Sequence, residues 1–290
     1  MEKGAGRPRA ETGAKHPAAG APERPEGKGA CAMGGFLAGK RALIVGVLDR
    51  HSLCWGIAES MAREGASLCL TYLNERMRPK VQDLAATLPD AWTAPLDLQQ
   101  DEQIEALASL VKERWGGLDA LVEGAAFARA AHLSGEFLQV DREGFHTAMD
   151  VSVYGLIAMS RACRPLLCEA GGGAVLTLTY LGAQRVIPNY NIMGVAKAAL
   201  EASVRYLASD LGPDNIRVNA ISSGPVRTVA ASGVKGVGGM IGELAERAPL
   251  RRKTEKEHVG DAAAFLLSDL GRGITGETLF VDNGVHILGL

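Results

Sequence analysis

The sequence predicts an α/β protein built on a single Rossmann-type, doubly wound sheet of about seven parallel strands. Seven short β-branched or apolar runs follow Lys40, and longer amphipathic segments separate them. This alternation is typical of βαβ units and of a parallel sheet. Several of the runs are hydrophobic almost throughout, as strands covered by helices on both faces should be.

The predicted elements follow in order along the chain. Strands are expected over residues 42–45, 67–72, 92–95, 120–122, 174–179, 217–222 and 278–281. Helices are expected over residues 55–64, 76–88, 101–115, 145–169, 190–211 and 257–269, where apolar residues recur every three or four positions. Gly65, Gly116 and Gly212 stand where three of these helices should stop. Because open parallel sheets bind ligands at the carboxyl ends of their strands, the site is expected there.

The first 35 residues differ in composition from the rest of the chain. They hold eight glycines, four prolines and no aromatic residue, which is too little apolar surface for a folded core. We therefore predict a disordered tail over residues 1–35 and one domain over residues 36–290. The tail has neither an apolar secretion segment nor the composition of a transit peptide. An extension without function, with Met33 as a candidate start, is favoured over a partner-binding arm.

Composition excludes several classes of function. The net charge of −2 provides no positive field for nucleic acid. Five cysteines without a C-x-x-C pair predict neither a disulfide framework nor a metal site, and indicate reduced thiols in the cytoplasm. No apolar run approaches the roughly 20 residues of a membrane helix. A small-molecule ligand is therefore expected, and neither nucleic acid nor a membrane.

The turn after the first predicted strand is a candidate dinucleotide site. Gly46 would let the backbone turn against a pyrophosphate, Ser52 would offer a hydroxyl and an amide at a helix N-terminus, and Gly56 would allow close packing of helix on strand. The glycines are spaced too widely for G-x-G-x-x-G, so a plain βα turn explains the same residues. Asp97, past the third strand, is either an acceptor for the adenine amino group or a helix N-cap.

The end of the second strand bears on the choice of cofactor. No carboxylate stands there to bind a ribose 2′-hydroxyl, and the chain reads Thr-Tyr-Leu-Asn-Glu-Arg over residues 71–76. Arg76 and Arg78 are either partners for a 2′-phosphate or solvated surface residues. NADH is favoured as the cofactor, and NADPH stays open.

Residues 179–197 carry the catalytic hypothesis. Short-chain dehydrogenases place a tyrosine four residues before a lysine, but Met193 holds that position before Lys197. Tyr190 lies seven residues before the lysine, which on a helix returns to the same face about 10 Å further along. We predict that Tyr190 and Lys197 share a helix face and that Tyr180 reaches the same pocket. Core packing explains a lone tyrosine better, but the combination of three residues favours chemistry.

Taken together, these motifs resemble those of the NADH-dependent enoyl-acyl-carrier-protein reductases of bacteria, a divergent branch of the short-chain dehydrogenases. The matching pieces are residues 39–41, the spacing of Gly46, Ser52 and Gly56, and residues 180–197, 217–222, 224–233, 276–277 and 281–282. The resemblance covers nearly everything after the tail.

The resemblance implies that hydride passes from the nicotinamide to the β-carbon of a trans-2-enoyl thioester carried by acyl carrier protein. It implies that Tyr190 donates to the enolate oxygen, that Tyr180 seats the substrate, and that Lys197 donates to the ribose hydroxyls. The implied cofactor contacts are Gly46, Ser52, Leu53, Leu73, Asp97, Leu98, Ala125, Lys197, Val226, Arg227, Thr228, Val229 and Ala230, and Ala128 is the implied substrate contact.

Further expectations concern mobility and assembly. Residues 233–250 suit a lid over an acyl chain. Arg251, Arg252 and Lys253 are either a solvated run, which is favoured, or a patch that attracts an acidic carrier protein. Related enzymes form homotetramers, and the helices over 145–169 and 190–211 are apolar enough to pair across a two-fold axis.

The match departs from the family after the fourth strand. The family usually shows His-Ser-Ile, then Gly or Ala, then Phe-Ala, whereas this chain has Glu-Gly-Ala-Ala-Phe-Ala over residues 123–128. Backbone contacts at Ala125 are expected to survive because they need no side chain. Glu123 is expected to alter either cofactor affinity or substrate preference, and Leu73 lacks the polar group that would help to hold the adenosine ribose.

Two other functions remain open. One is a reductase acting on a ketone or another activated alkene, against which Met193 counts. The other is a dinucleotide-sensing protein without turnover, which residues 123–124 favour and which Tyr190 and Lys197 oppose.

Overall fold

The computed structural model describes residue 1, residues 35–228 and residues 237–289. The tail predicted over residues 1–35 lies outside the described residues except for its two end positions. Val229 and Ala230 also lie outside them, as does the first part of the predicted lid.

Seven strands in the described residues form one sheet, in the order β3-β2-β1-β4-β5-β6-β7. All six pairings are parallel. The strands are β1 Arg41–Val45, β2 Ser67–Tyr72, β3 Ala91–Pro95, β4 Ala120–Glu123, β5 Gly173–Tyr180, β6 Ile216–Ser223 and β7 Thr278–Val281. The predicted fold class is confirmed, and each predicted strand end lies within one residue of the observed one.

Eight α-helices connect and cover these strands in the described part of the chain. They are α1 Leu53–Arg63, α2 Arg78–Ala85, α3 Asp101–Trp115, α4 Arg142–Met149, α5 Gly155–Glu169, α6 Asn191–Leu211, α7 Val237–Arg247 and α8 Lys256–Leu267. None of these helices combines the length and the apolar character that crossing a membrane would require.

Both faces of the sheet are buried under helices. On one face, Ile57 of α1 and Val259 of α8 join the same apolar cluster as the strands. On the other face, Leu107 of α3, Met159 of α5 and Leu200 of α6 do so. All five side chains are buried, and each such burial stabilises the fold by about 1.5–3 kcal/mol. Because the two faces are covered, a ligand is expected at the ends of the strands, and open parallel sheets bind ligands at the carboxyl ends.

The helix predicted over residues 145–169 is longer than expected and is not regular. It begins at Arg142, because the Asp141 side chain caps it by accepting from the Gly144 N–H at 2.7 Å. Between α4 and α5 lies a π-helical turn, Asp150–Tyr154. Such turns insert an extra residue into a helix and are frequent at functional sites. The three- and four-residue periodicity of the sequence contains no signal for it.

The ends of α6 correct two further expectations. The helix begins at Asn191 and not at Tyr190, because Asn189 and Asn191 have positive φ angles of 61° and 29°. At its other end, Gly212 has a φ of −56° and continues into a 3₁₀ turn, and Asn215 supplies the left-handed residue at φ 59°. Gly65 and Gly116 do have positive φ, as helix stops should.

Gly56 serves a contact other than the predicted packing of helix on strand. A Cβ at this position would lie 2.6 Å from the carbonyl oxygen of Lys256. A Cβ at Gly260 would likewise lie 2.3 Å from the carbonyl oxygen of Gly56. The two glycines therefore allow α1 and α8 to cross with their backbones in contact, on the side of the sheet that supports the first turn.

Candidate active site

The candidate site begins at the switch point of the sheet, between β1 and β4, where the order of the strands reverses. Gly46 follows β1 with a φ of +105°, a conformation that favours glycine. A Cβ there would lie 2.9 Å from the Ala125 nitrogen and 2.9 Å from the Gly124 carbonyl carbon. The structure thus brings two predicted cofactor residues, Gly46 and Ala125, into direct contact. Only a residue without a side chain allows this turn to pack against the loop after β4, and we call the contact of Gly46 with Gly124 and Ala125 the cradle.

Ser52 orders the turn that follows Gly46. Its hydroxyl donates to the Asp49 carbonyl at 2.7 Å and accepts from the Trp55 N–H at 3.3 Å, and its N–H donates to the same carbonyl. Ser52 is buried and is the N-cap of α1, and Leu53 is the first residue of that helix. The N-terminus of α1 thus follows Gly46 by seven residues, and the dipole of a helix favours an anion at such an end.

The adenosine side of the predicted site follows β2 and β3, the strands next to β1. Leu73 is half exposed, at 49%, directly after β2. The Asp97 carboxylate accepts from the Gln99 N–H at 3.0 Å. The alternative assignment of Asp97 as a helix N-cap is wrong, because Gln100 holds that position in α3. The next residue, Leu98, is buried. Asp97 therefore stays a candidate acceptor for the adenine amino group.

Lys197 lies in α6 and is 6% exposed. Its ammonium group donates to the carbonyl of Leu178, near the end of β5, at 2.8 Å. Burial lowers the pKa of Lys197, and the nearby Glu123 carboxyl opposes that shift. The lysine is thus held against the carboxyl end of β5 with its ammonium in a desolvated setting.

Tyr180 and Tyr190 form one aromatic pair. Their ring centroids are 5.1 Å apart and the ring planes meet at 72°, a favourable edge-to-face arrangement. Tyr180 ends β5, and Tyr190 immediately precedes α6. Burial raises the pKa of both phenols, that of Tyr190 further than that of Tyr180. The Tyr190 hydroxyl is therefore protonated at neutral pH and is able to donate.

The reason for the placement of Tyr190 differs from the predicted one. Tyr190 lies outside the helix, so a shared helix face does not relate it to Lys197. Instead its ring lies over Gly182, where a Cβ would approach the ring carbon Cδ1 to 2.4 Å. Gly182 was not singled out from the sequence, because nothing local marks it as the floor beneath an aromatic ring.

The Glu123 side chain forms a hydrogen bond within the loop after β4 that the sequence did not predict. The side chain has no exposed surface, and its Oε1 accepts from the Ala125 N–H at 2.9 Å. The Ala125 amide, expected to be independent of side chains, is therefore occupied by this carboxylate. Burial raises the pKa of Glu123 to about 7, and Lys197 and the Ala125 hydrogen bond oppose the increase.

Ser152, in the π-helical turn, is a second residue that the sequence did not reveal. Its hydroxyl accepts from the Phe127 N–H at 3.0 Å and is fully buried. This contact anchors the loop that carries Ala128, the predicted substrate residue. Met193 places its sulfur 3.9 Å from the same hydroxyl, so the methionine that replaces the usual tyrosine packs beneath the site.

A cavity of about 330 Å³ joins the first turn to the segment after β6. It is lined by His51, Val226, Arg227, Gly238, Ile241, Lys253, Thr254, Glu255 and Lys256. Two predicted cofactor residues, Val226 and Arg227, thus face the same space as the turn before α1. Thr228 is half-buried next to them, whereas Val229 and Ala230 lie outside the described residues. Tyr180, Tyr190 and Lys197 do not line this cavity and form the neighbouring part of the site.

The order of the parallel strands and the glycine turn at the switch point of the sheet define a Rossmann-type protein of the short-chain reductase class, whose members are dinucleotide-dependent oxidoreductases. Within that class, a family model described as enoyl-(acyl carrier protein) reductase matches residues 46–286. The chain belongs to this family.

Similar proteins agree with this assignment. The enoyl-[acyl-carrier-protein] reductase [NADH] FabI of a Nostoc species is 48% identical over 88% of this chain and 99% of its own length. That of Bacillus subtilis is also 48% identical, over 87% and 97%. The Bacillus cereus enoyl-acyl carrier protein reductase, solved with NADP⁺ and indole naphthyridinone, has a TM-score of 0.86 at 48% identity and covers 88% of this chain and 100% of its own. The Anaplasma phagocytophilum enzyme, solved with NAD, has a TM-score of 0.85 at 44% identity, with coverages of 89% and 98%.

Proposed function

We propose that this chain is an NADH-dependent enoyl-acyl-carrier-protein reductase of fatty acid elongation. The observation that carries the proposal is the pairing of Tyr180 with Tyr190 at 5.1 Å beside β5, the strand whose Leu178 carbonyl binds Lys197. Family membership supports the reaction, because the similar proteins are named for it.

The chain offers a dinucleotide the contacts it needs. The Gly46 cradle admits backbone close to a pyrophosphate, and the N-terminus of α1 favours its charge. Bound NADH supplies the hydride that adds to the β-carbon of a trans-2-enoyl thioester. The Lys197 ammonium donates to the ribose hydroxyls and orients the nicotinamide, and Ala128 lines the substrate side.

Tyr190 stabilises the charge that develops on the thioester oxygen. Its hydroxyl is protonated because burial raises the pKa of the phenol, so it donates to an enolate without prior proton transfer. Tyr180 packs edge-to-face on Tyr190 and limits where the thioester lies. The enolate formed by the hydride would then take one proton from solvent at its α-carbon, which gives the saturated thioester.

NADH is the preferred cofactor in this proposal. The residue directly after β2 is Leu73, which offers no polar group to the adenosine ribose, so the end of β2 does not itself select NADH. The relatives named above are NADH enzymes, although one solved neighbour holds NADP⁺. A comparison of the two cofactors therefore belongs in the first experiment.

Partners and location complete the proposal. Acyl carrier protein presents the substrate, and Lys253 lines the cavity beside Val226 and Arg227. Arg252 instead donates to Asn283 at 3.2 Å, which leaves less of the basic run for a carrier protein. A cytoplasmic location is supported by the free cysteines, three of which are buried as thiols.

The test is the oxidation of NADH, and separately of NADPH, with crotonyl and longer enoyl thioesters. We expect Tyr190→Phe to lower turnover about 10²-fold, because a preorganised donor to developing charge contributes about 3 kcal/mol in comparable sites. Tyr206→Phe is the matched control, since Tyr206 is a 76% exposed tyrosine on α6, and it should behave like the wild type.

Other outcomes would change the assignment. Turnover of ketones but not of enoyl thioesters would replace it with a carbonyl reductase. Binding of NADH without any turnover would favour a dinucleotide sensor.

A further inference from the structure

Glu123 is a buried carboxylate that the proposed reaction does not use. It is the last residue of β4 and pairs in register with Val45 of β1 and Thr177 of β5. Its side chain has no exposed surface. An uncompensated charge in such a position is costly, so the contacts of this carboxylate indicate what it does.

One oxygen of Glu123 braces the cofactor cradle. Oε1 accepts from the Ala125 N–H at 2.9 Å, and the Ala125 nitrogen lies 2.9 Å from the Cβ position of Gly46. The loop that touches the first turn is thus tied to the Glu123 side chain. The other oxygen, Oε2, is buried and has no hydrogen-bond partner within the described residues.

The same side chain lies close to the lysine of the site. Lys197 donates to the carbonyl of Leu178, one residue beyond Thr177, the strand partner of Glu123. The Leu178 side chain lies 3.1 Å from the Cβ position of Gly124, so Glu123 and Lys197 border the same short piece of β5. Burial lowers the pKa of Lys197, and Glu123 is the larger of the two nearby carboxylate influences that raise it.

The remaining titratable groups around this pair are Cys54 of α1 and Glu201 of α6. Burial raises the pKa of Cys54 to about 12, so the thiol is neutral. Glu201 lies four residues after Lys197, accepts from the Thr179 hydroxyl at 2.9 Å and has a smaller effect on the lysine. Glu123 is therefore the main source of compensating charge.

We propose that Glu123 is a positioning residue of the cofactor site, which supplies the counter-charge for the buried Lys197 ammonium and holds the Ala125 amide in the cradle. The inference rests on the proposed function, in which that ammonium donates to the ribose of NADH. Because the pKa of Glu123 is raised to about 7, its carboxyl is increasingly ionised above neutral pH. Burial lowers the pKa of Lys197, and the ionised Glu123 carboxylate opposes the loss of the lysine proton as the pH rises.

The test is the dissociation constant of NADH, measured by its fluorescence between pH 6 and pH 10. Glu123→Gln removes the charge and keeps an oxygen that accepts from the Ala125 N–H. We expect this variant to match the wild type within about twofold at pH 6.5 and to bind NADH about tenfold more weakly at pH 9, because one nearby opposite charge shifts a pKa by about one unit or more. Glu113→Gln, the same change at an exposed site in α3, should follow the wild type throughout.

Two results would overturn the inference. One is a dissociation constant of NADH that rises at alkaline pH along the same curve in Glu123→Gln and in the wild type. The other is an equal loss of affinity at every pH, which would indicate a structural role only. If Glu123→Gln does not fold, Glu123→His replaces it, because histidine is neutral at alkaline pH and is the usual residue of the family. This variant should also bind NADH more weakly than the wild type at alkaline pH. Thioester turnover by the wild type is measured separately, so a failed reductase assay does not affect the reading of the binding data.

Discussion

At the scale of single residues, the proposed chemistry depends on where the phenol of Tyr190 lies. The Tyr190 ring rests on Gly182 and against the edge of Tyr180. Gly182 in turn has its carbonyl oxygen 2.9 Å from the Cβ position of Gly194, in the first turns of α6. The donor is therefore positioned by the absence of side chains beneath it as much as by its own contacts.

Gly182→Ala should consequently impair catalysis without disturbing the cofactor. The new methyl group would meet the Tyr190 ring at 2.4 Å, and the ring would have to move. We expect turnover to fall at least about tenfold, since small displacements of a catalytic group have large effects on rate, while the dissociation constant of NADH stays within about twofold.

Steady-state kinetics and NADH titration check this prediction against a matched control. Gly212→Ala is suitable because no atom lies within 4 Å of a Cβ at that position and its φ is −56°. Unchanged turnover in Gly182→Ala would show that the ring is not fixed by this contact.

At the scale of elements, irregular segments place the functional groups. The positive φ angles of Asn189 and Asn191 set Tyr190 just outside α6. The π-helical turn before α5 presents Ser152 to the loop at Phe127. Regular helices and strands supply the frame, and the departures from regularity aim the side chains.

The crossing of α1 and α8 provides a prediction at this scale. Gly260→Ala would place a methyl group 2.3 Å from the Gly56 carbonyl oxygen, so the helices must separate. We expect the free energy of unfolding to fall by about 1–3 kcal/mol, the usual cost of overpacking.

Chemical denaturation measures the free energy of unfolding of Gly260→Ala, and Gly242→Ala is the matched control. Gly242 lies inside α7 with no atom within 4 Å of its Cβ position, so that variant should gain up to about 1 kcal/mol from helix propensity. Equal stability of the two variants would contradict the proposed backbone contact.

At the scale of the whole molecule, the strand order brings distant segments together. β1 lies between β2 and β4, so Gly46 meets the loop of Ala125 although about 80 residues separate them in the sequence. The proposed site therefore draws on both halves of the chain, because Gly46 and Ala125 precede β5 in the sequence whereas Lys197 and Val226 follow it.

A homotetramer is the predicted assembly. The helices concerned leave large apolar side chains exposed, including Phe145 at 41% and Val195 at 39%, as surfaces that pair across a two-fold axis would. Sedimentation should give about 122 kDa, four times the chain mass of 30.4 kDa. Phe145→Glu should lower that mass, and Leu138→Glu, an 89% exposed position outside these helices, should not. A wild-type mass equal to one chain would refute the prediction.

Much of the fold was predictable because it depends on local patterns. Apolar runs determined all seven strands to within one residue, and three- and four-residue spacing determined most of the helices. Tyr180, Tyr190 and Lys197 were predicted as site residues because their types and order around one helix start are unusual. The first turn after β1 was a weaker prediction, because its glycines are spaced too widely for G-x-G-x-x-G.

Only the tertiary structure decided how these residues reach one another. That Gly182 lies under Tyr190, that Ser152 holds Phe127, and that Glu123 occupies the Ala125 amide all depend on contacts between separate elements. The role of Gly56 likewise depends on its contact with α8 and not on the predicted packing of α1 on a strand. Periodicity and residue type describe what a segment can form by itself, whereas close backbone approach, burial and charge compensation arise only when strands and helices distant in the chain are packed together.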